Sequence, residues 1–332
     1  MSFFISSLKN SGHLDGLEMA ICNVGSRKLA REDDYGSGEW GIFAPHLTIY
    51  GFDADADACD QANADIEARQ VNWTEKHIPL ALGSAAREAT LYVTNNPMCS
   101  SLYPPNESYL QRFHQLREVM KLDFTVEVET TTLDIFCKDE NIDKIDFLQV
   151  DVQGADLQVL EGAAGMLESS ILAITTEVEF SELYINQPLF SDIDTYLRKK
   201  GFTLFNMSHG CRTRACSPIT YKNLYGQLLW GDAIYLRDLI KADASPHLNT
   251  PDEILKLACI ADILDFPDYA LELLQYLTIN YGNNPKYNCA NNIIESLAKL
   301  PDLVQQGIGS LPVVAKIRDY ASGYAVDLLR IE

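Results

Sequence analysis

The stretch IDFLQVDVQGADLQVLEG, residues 145–162, decides the fold because it joins a buried strand, a polar turn and a helix. Residues 145–152 form a nearly continuous apolar run, which is typical of a central parallel strand covered on both faces. From Asp156 onward, apolar residues recur every three or four positions, which predicts an amphipathic helix. Ligands of open α/β sheets bind beyond the carboxyl ends of the strands, so Asp151 and Gln153 are candidate site residues.

Length and composition indicate a globular protein with one main domain. The chain has 332 residues, of which 47% are hydrophobic and 22% are charged, and this length favours an α/β domain with a smaller appendage. No segment approaches the roughly eighteen apolar residues of a membrane span, so we expect no transmembrane segment. The first ten residues, MSFFISSLKN, lack the basic and long apolar regions of a secretion signal, and the predicted location is cytoplasmic.

Charge and cysteine usage exclude several classes of function. The formal net charge is −21, from 26 basic and 47 acidic side chains, which argues against nucleic-acid binding. The eight cysteines are scattered, with no CxxC pair and no clustering with the six histidines. We therefore expect neither structural zinc nor a disulfide framework.

Two apolar segments near the start predict the opening of a nucleotide-binding βαβ unit. EMAICNVGS predicts a buried strand that ends in Gly25, and HLTIYGFDAD predicts a second strand that ends in Asp53. In such units the glycine lets the backbone approach the cofactor, and the acid accepts hydrogen bonds from the ribose hydroxyls. Residues 27–40 between them predict a loop and a short helix.

The rest of the chain alternates strands and helices before it becomes helical. Strands are predicted at residues 77–83, 89–94, 124–132, 172–180, 202–207 and 228–238, and helices at residues 57–69, 193–200, 254–264, 269–277, 290–300 and 313–329. Glu177 and Glu179 lie on one face of their strand, and carboxylates there are costly to bury unless used or paired. We divide the chain into a domain at residues 1–240 and a helical C-terminal extension at residues 241–332, through which the chain could form a homo-oligomer.

These features together resemble the FkbM-type S-adenosylmethionine-dependent methyltransferases. The resemblance runs from about Ala20 to Arg237 and rests on NVGSRKL, IYGFDADADAC, PLALGSAAREATLYVTNNPMCSSLYPPN, VEVETTTLDIF, FLQVDVQGADLQVLEGA, EVEFSELYINQPLFSDIDTYLRKKGFTLFNM and GQLLWGDAIYLRD. It implies S-adenosyl-L-methionine as cofactor and a doubly wound, Rossmann-like class I α/β sheet of seven strands, with the last strand inserted antiparallel and a helical appendage behind it. The chain departs from the family's pattern at Asn23 and Gln153, where acids are usual.

By position in these motifs, the residues divide into a cofactor set and an acceptor set. The cofactor set consists of Gly25, Ser26, Asp53, Ala54, Leu82, Asp151 and Gln153. Methyl transfer from a sulfonium needs an in-line arrangement and the removal of a proton. We predict that Asp151 lines the methyl group, that Asp151 or Glu179 takes the proton, and that Glu177, His209 and Gln153 orient the acceptor.

Several alternatives stay open at this point. Asp151, Glu177 and Glu179 could instead hold Mg²⁺ or Ca²⁺ through their oxygens, although no dedicated loop is visible and we predict no metal. The predicted reaction is methylation of a hydroxyl on a sugar, a glycan or a secondary metabolite, which is what the family implies. A catalytically degenerate binding or scaffold protein is the first alternative. A nicotinamide-dependent oxidoreductase is the second, although NVGSRKL lacks the GxGxxG motif.

Overall fold

A computed structural model describes residues 2–27, 34–219, 226–241 and 247–322. Its strands are β1 (Met19–Val24), β2 (Leu47–Phe52), β3 (Thr74–Ile78), β4 (Ala81–Leu82), β5 (Arg87–Thr94), β6 (Leu122–Thr131), β7 (Phe147–Val150), β8 (Ala173–Glu179), β9 (Phe202–Met207), β10 (Gly210–Arg212) and β11 (Gln227–Arg237). Its α-helices are α1 (Ile5–Asn10), α2 (Ala56–Arg69), α3 (Glu107–Leu110), α4 (Leu116–Val119), α5 (Leu133–Asp139), α6 (Asp156–Gly162), α7 (Ala164–Ser169), α8 (Phe190–Lys199), α9 (Pro251–Ile263), α10 (Pro267–Tyr281), α11 (Ala290–Leu297), α12 (Pro301–Gln306) and α13 (Pro312–Ser322). Short 3₁₀ helices lie at Tyr35–Ser37, Glu39–Phe43, Pro97–Cys99, Pro285–Tyr287 and Ile308–Ser310.

The central sheet has the strand order expected of a methyltransferase. From one edge to the other the order is β3, β2, β1, β7, β8, β11 and β9, and the short strand β10 also pairs with β11. β1 pairs parallel with β7, β7 with β8, and β2 with β3. β11 lies antiparallel between β8 and β9. The predicted doubly wound α/β fold is confirmed, with β10 as a strand that the sequence did not reveal.

Residues 77–83, which the sequence predicts as one strand, divide between two sheets. β3 ends at Ile78 in the central sheet, and β4 begins at Ala81 in a separate sheet with the order β4, β6 and β5. Pro79 lies between them and has no N–H to continue the pairing. The N–H of Leu80 donates instead to the carbonyl of Ile78, at 2.9 Å.

The chain forms two compact units. One contains Ala20–Asp33 and Thr48–Asp238, and therefore all the strand ends discussed below. The other contains Met1–Met19, Asp34–Leu47 and Leu239–Glu332. The division at residue 240 stays a prediction, and the structure groups two N-terminal segments with the C-terminal helices.

The helices of this second unit are short. The longest helix in the described part of the chain, α10, has 15 residues. None of the described helices combines the length and the apolarity needed to cross a membrane. In α9 every residue from Glu253 to Asp262 is buried, so this helix forms the centre of its unit.

Asp262 of α9 closes the start of α1. Its carboxylate accepts hydrogen bonds from the N–H groups of Phe3, Phe4 and Ile5, at 2.9, 2.7 and 2.9 Å. The first N–H groups of a helix have no partners within the helix, and a negative charge there is favoured by the helix dipole. Asp262 is only 2% exposed, so the contact between the chain's first residues and α9 is a buried one.

Asp262→Ala is expected to lower the free energy of unfolding of this unit by about 3 kcal/mol, because three N–H groups lose a charged acceptor. Urea denaturation of the full chain measures the loss. Asp268→Ala is the matched control, since it removes an exposed acid from the start of α10. Equal losses in the two variants would contradict the assigned role of Asp262.

Candidate functional site

The carboxyl ends of β1, β2, β7 and β8 meet at one edge of the central sheet. β1, β7 and β8 are parallel, so Gly25, Asp151 and Glu179 lie at the same edge. The end of β2 joins them because the N–H groups of Gly25 and Ser26 both donate to the carbonyl of Phe52, at 2.8 and 2.9 Å. The structure thus brings the predicted cofactor glycine and the predicted catalytic acids to one place.

Gly25 is required by the close approach of two strand ends. It has a φ of +85°, and a Cβ atom there would lie well within 3.0 Å of the carbonyl oxygen of Asp151. Only glycine adopts this conformation without strain and leaves this space. The N–H of Asp151 also donates to the carbonyl of Val24, at 2.9 Å. The turn after β1 is therefore packed directly against the end of β7.

Asp53 and Ala54 follow β2 at the same edge. The Oδ1 atom of Asp53 accepts a hydrogen bond from the N–H of Asp55, at 2.8 Å. Partial burial raises the pKa of Asp53, and the hydrogen bond from Asp55 opposes that rise. Ala54 is exposed beside it. Asp55 itself forms an ion pair with Arg27.

Ser26 takes part in a buried chain of hydrogen bonds that the sequence did not reveal. Its hydroxyl lies 3.1 Å from Nδ1 of His77, and Nε2 of His77 lies 3.0 Å from Oε1 of Glu75. Trp73 donates to the other oxygen of Glu75 at 2.8 Å. A Cβ at Gly51 would lie 2.5 Å from Nδ1 of His77, so that glycine makes room for the contact. Ser26 is 2% exposed, and its side chain fixes the turn after β1.

Leu82 and His209 lie at the margins of the predicted site. Leu82 is in β4, and its side chain packs into the main apolar core. His209 is exposed in the turn between β9 and β10. Because β8 and β9 are both antiparallel to β11, this turn follows the same sheet edge as Glu179.

Four carboxyl groups, those of Asp151, Asp156, Glu177 and Glu179, cluster at the carboxyl ends of β7 and β8. Burial and then the negative charge of Asp151 raise the pKa of Glu177 well above its usual value, with Glu179 adding to the effect. Burial and the charges of Asp156 and Asp151 likewise raise the pKa of Glu179. Glu179 is 1% exposed, and its Oε2 atom has no hydrogen-bond partner among the described residues. Glu177 and Glu179 therefore hold their protons to higher pH than isolated carboxyl groups do.

Gln153 lies between two of these carboxylates. Its Nε2 donates to Oδ1 of Asp151 at 2.8 Å and to Oε2 of Glu177 at 2.7 Å. Its Oε1 accepts from the hydroxyl of Tyr184 at 3.0 Å, and its carbonyl accepts from the hydroxyl of Ser101 at 2.7 Å. Tyr184 and Ser101 are functional candidates that the sequence did not reveal.

The turn that carries Gln153 is held by Asp156. The two carboxylate oxygens of Asp156 accept from the N–H groups of Val152 and Gly154, at 3.3 and 3.0 Å. Gln153 and Gly154 both have positive φ, +57° and +87°. Glycine adopts a positive φ freely, but at Gln153 this conformation is strained, and such strain persists where surrounding contacts determine it, often at functional sites. The sequence carried one signal for this contact, because Asp156 is an acid at the first position of the helix that follows the Gln153-Gly154 turn.

Two further residues reach this face of the sheet from β11. Trp230 lies opposite Glu179, and Asp232 lies opposite Glu177. Directly opposed residues of an antiparallel pair share a face. The negative charge of Asp232 contributes to the raised pKa of Glu177. Sequence patterns do not give the register of β8 and β11, which is why these two residues were missed.

The metal alternative requires oxygens of Asp151, Glu177 and Glu179 to converge on one cation. In the ranges that the structure describes, no group of three or more His, Cys, Asp and Glu side chains is arranged to hold a metal ion. Between Asp151 and Glu177, the two carboxylates that could share a cation, lies the amide nitrogen of Gln153.

The strand order defines the class of the protein as a methyltransferase-type α/β fold. Residues 44–204 match the family model of the methyltransferase FkbM domain. This confirms the resemblance seen in the sequence. It also favours the methyltransferase over the nicotinamide-dependent alternative. No curated protein matches the chain.

Solved structures give more distant likenesses. The chain is similar to the methyltransferase FkbM from Methylobacillus flagellatus, with 10% identity and a TM-score of 0.37 over 66% of this chain and 43% of that one. The chain thus spans less than half the length of that protein. It is also similar to a putative tRNA methyltransferase of Streptococcus pneumoniae, with 10% identity, a TM-score of 0.30 and coverage of 95% and 97%. A third likeness is to TrmK of M. capricolum in complex with S-adenosyl-homocysteine, with 13% identity, a TM-score of 0.31 and coverage of 97% and 98%.

Proposed function

We propose that the chain is an S-adenosylmethionine-dependent O-methyltransferase that acts on a hydroxyl group of a sugar, a glycan or a secondary metabolite. The observation that carries this proposal is the carboxyl group of Glu179. It is buried, its pKa is raised, and one of its oxygens has no partner in the described part of the chain. A buried acceptor of this kind is costly unless a ligand satisfies it, and a hydroxyl is a suitable ligand.

The cofactor would be held at the ends of β1 and β2. Asp53 would accept the ribose hydroxyls, since a carboxylate has about four acceptor sites and the backbone bonds from Asp55 and Arg27 use two of them. Gly25 keeps the end of β1 close to Asp151. S-adenosylmethionine supplies an electrophilic methyl group when it is bound.

Glu179 would act as the general base and accept the proton of the acceptor hydroxyl on Oε2. Its raised pKa makes the carboxylate a stronger base than an exposed glutamate. Asp151 is the weaker candidate for this task, because its Oδ1 already accepts a hydrogen bond from Gln153. Glu177 and Gln153 would orient the acceptor.

The remaining assignments follow from charge and cysteine chemistry. A net charge of −21 favours a small-molecule or glycan acceptor over a nucleic acid. All eight cysteines are unpaired, which suits the cytoplasm.

A homo-oligomer through the C-terminal helices is part of the proposal, and sedimentation velocity tests it. Mass spectrometry of reactions with a panel of sugars, glycans and metabolites tests the acceptor class, and methylation of a nucleic acid alone would overturn it.

Asp53→Ala is expected to weaken S-adenosylmethionine binding by about 1.5 to 3 kcal/mol, because charge-assisted hydrogen bonds to the ribose are lost. Calorimetry with the folded variant measures the change. Asp60→Ala is the matched control, since it removes an exposed acid from the neighbouring helix α2. Unchanged affinity in Asp53→Ala would remove Asp53 from the cofactor site.

A further inference from the structure

The amide group of Gln153 is fully used by its surroundings. An amide nitrogen carries two N–H donors, and both are committed, at 2.8 Å to Asp151 and at 2.7 Å to Glu177. The amide oxygen faces the hydroxyl of Tyr184 at 3.0 Å. These partners fix the orientation of the amide, because a flipped amide would set its oxygen against two carboxylates.

Two carboxylates that converge on one point, as Asp151 and Glu177 do here, repel each other unless a group between them compensates their negative charge. Proteins use a shared proton, a cation or hydrogen-bond donors for this purpose. Here a neutral amide lies between them, and its two donors satisfy one oxygen of each carboxyl group. The pKa of Glu177 is nevertheless raised, which shows that its charge remains costly where it is buried beside Asp151. We propose that Gln153 is a positioning residue that takes the place of a divalent cation between Asp151 and Glu177. The inference rests on the proposed function only in treating these acids as the acceptor site.

The surroundings hold Gln153 rigidly enough for this role. Its backbone carbonyl is fixed by Ser101 and its side chain by Tyr184, which is 1% exposed. The single hydroxyl proton of Tyr184 is shared between the amide oxygen of Gln153 and the carbonyl of Cys99, which lies 2.9 Å from the hydroxyl. Asp156 fixes the turn from the other side. The positive φ of Gln153 is maintained by these contacts.

The variant Gln153→Glu tests whether the Gln153 amide occupies the position that a divalent cation would otherwise take. The new side chain has the same shape, loses both N–H donors and adds a third carboxylate at the point where Asp151 and Glu177 already converge. Three carboxylates around one point are the oxygen ligands that Mn²⁺, Mg²⁺ and Ca²⁺ prefer. We therefore expect Gln153→Glu to bind Mn²⁺ at least about tenfold more tightly than the wild-type protein, which should show no site of its own at this position.

Calorimetry and the loss of the Mn²⁺ electron paramagnetic resonance signal measure binding to the purified full chain. Gln158→Glu is the matched control, since it adds the same charge on α6 away from the carboxylate pair, and it should bind no more Mn²⁺ than the wild-type protein. Adding Glu177→Gln to Gln153→Glu should abolish the gained site. If Gln153→Glu is unstable, Mn²⁺ should raise its melting temperature and leave that of the wild-type protein unchanged.

Two results would overturn the inference. The first is wild-type binding of Mn²⁺ that disappears in Glu177→Gln. The second is a Gln153→Glu protein in which Mn²⁺ neither binds nor raises the melting temperature. S-adenosylmethionine binding, measured separately in each variant, keeps these results distinct from failure of the proposed function, because it reports on the ends of β1 and β2, whereas Mn²⁺ binding reports on Asp151 and Glu177. Once an acceptor is known, wild-type turnover should be unchanged by a chelator.

Discussion

Gly25→Ala is expected to reduce S-adenosylmethionine affinity by at least about 100-fold, or roughly 2.7 kcal/mol. The added methyl group would lie well within 3.0 Å of the carbonyl oxygen of Asp151. That oxygen belongs to the backbone and cannot swing away like a flexible side chain, so the end of β1 or of β7 must move. The φ of +85° adds strain for alanine. Both effects displace the strand ends where the cofactor is expected.

Gly16→Ala is the control that separates the two effects. Gly16 also has a positive φ, +69°, but a Cβ there would have no atom within 4 Å. It therefore reports the cost of the backbone conformation without the clash. Calorimetry with S-adenosylmethionine measures affinity, and thermal melting shows how far each variant is destabilised. Normal affinity in a folded Gly25→Ala protein would contradict the placement of the cofactor at the end of β1.

The elements of the fold were predictable where burial leaves a clear pattern. The apolar run that contains β7 predicted a central strand, and the strand ends at Gly25, Asp53 and Asp151 meet as the parallel topology requires. The apolar pattern alone was misleading at Pro79, which has no N–H for strand pairing and therefore separates β3 from β4. The pairing of the first residues with Asp262 joins positions more than 250 residues apart. No local pattern encodes such a contact.

The carboxylates of the candidate site were predictable for the same reason as the strands, because they occupy strand ends. What the sequence could not show is how they are compensated. The double hydrogen bond from Gln153 depends on a positive φ in the turn, and the hydroxyl of Tyr184 comes from a segment 31 residues further on. The positions of Trp230 and Asp232 depend on the register between β8 and β11. Charge balance within a site is thus a tertiary property, even where its charged residues are visible in the sequence.

The pH dependence of turnover should follow the ionisation of Glu179. The raised pKa means that the carboxyl keeps its proton above the ordinary glutamate range near 4.3. The base is inactive while protonated, so turnover should rise with pH through the raised pKa. The free energy of unfolding should fall as pH rises. A buried carboxyl with a raised pKa favours folding while it is protonated, and this contribution is lost as pH rises through its folded-state pKa.

Glu179→Gln is therefore expected to lower turnover by about 10²- to 10⁴-fold, the usual contribution of a general base, while cofactor affinity changes much less. Glutamine keeps the shape of the side chain but cannot accept the proton. The acidic limb assigned to Glu179 should disappear from the pH–rate profile. The unfolding free energy of the variant should rise relative to that of the wild-type protein as pH increases, since the buried charge is gone. That second measurement shows that the variant is folded.

Asp151→Asn is the matched comparison, because it removes the neighbouring acid and keeps its shape. If Glu179 is the base, Asp151→Asn should retain the acidic limb and show the smaller loss of turnover. A larger loss in Asp151→Asn, with the acidic limb kept in Glu179→Gln, would transfer the proton-accepting role to Asp151. Full turnover in both variants on an identified acceptor would place the chemistry away from β7 and β8, because the other acids of the cluster, Asp156 and Glu177, are already engaged with backbone N–H groups and with Gln153.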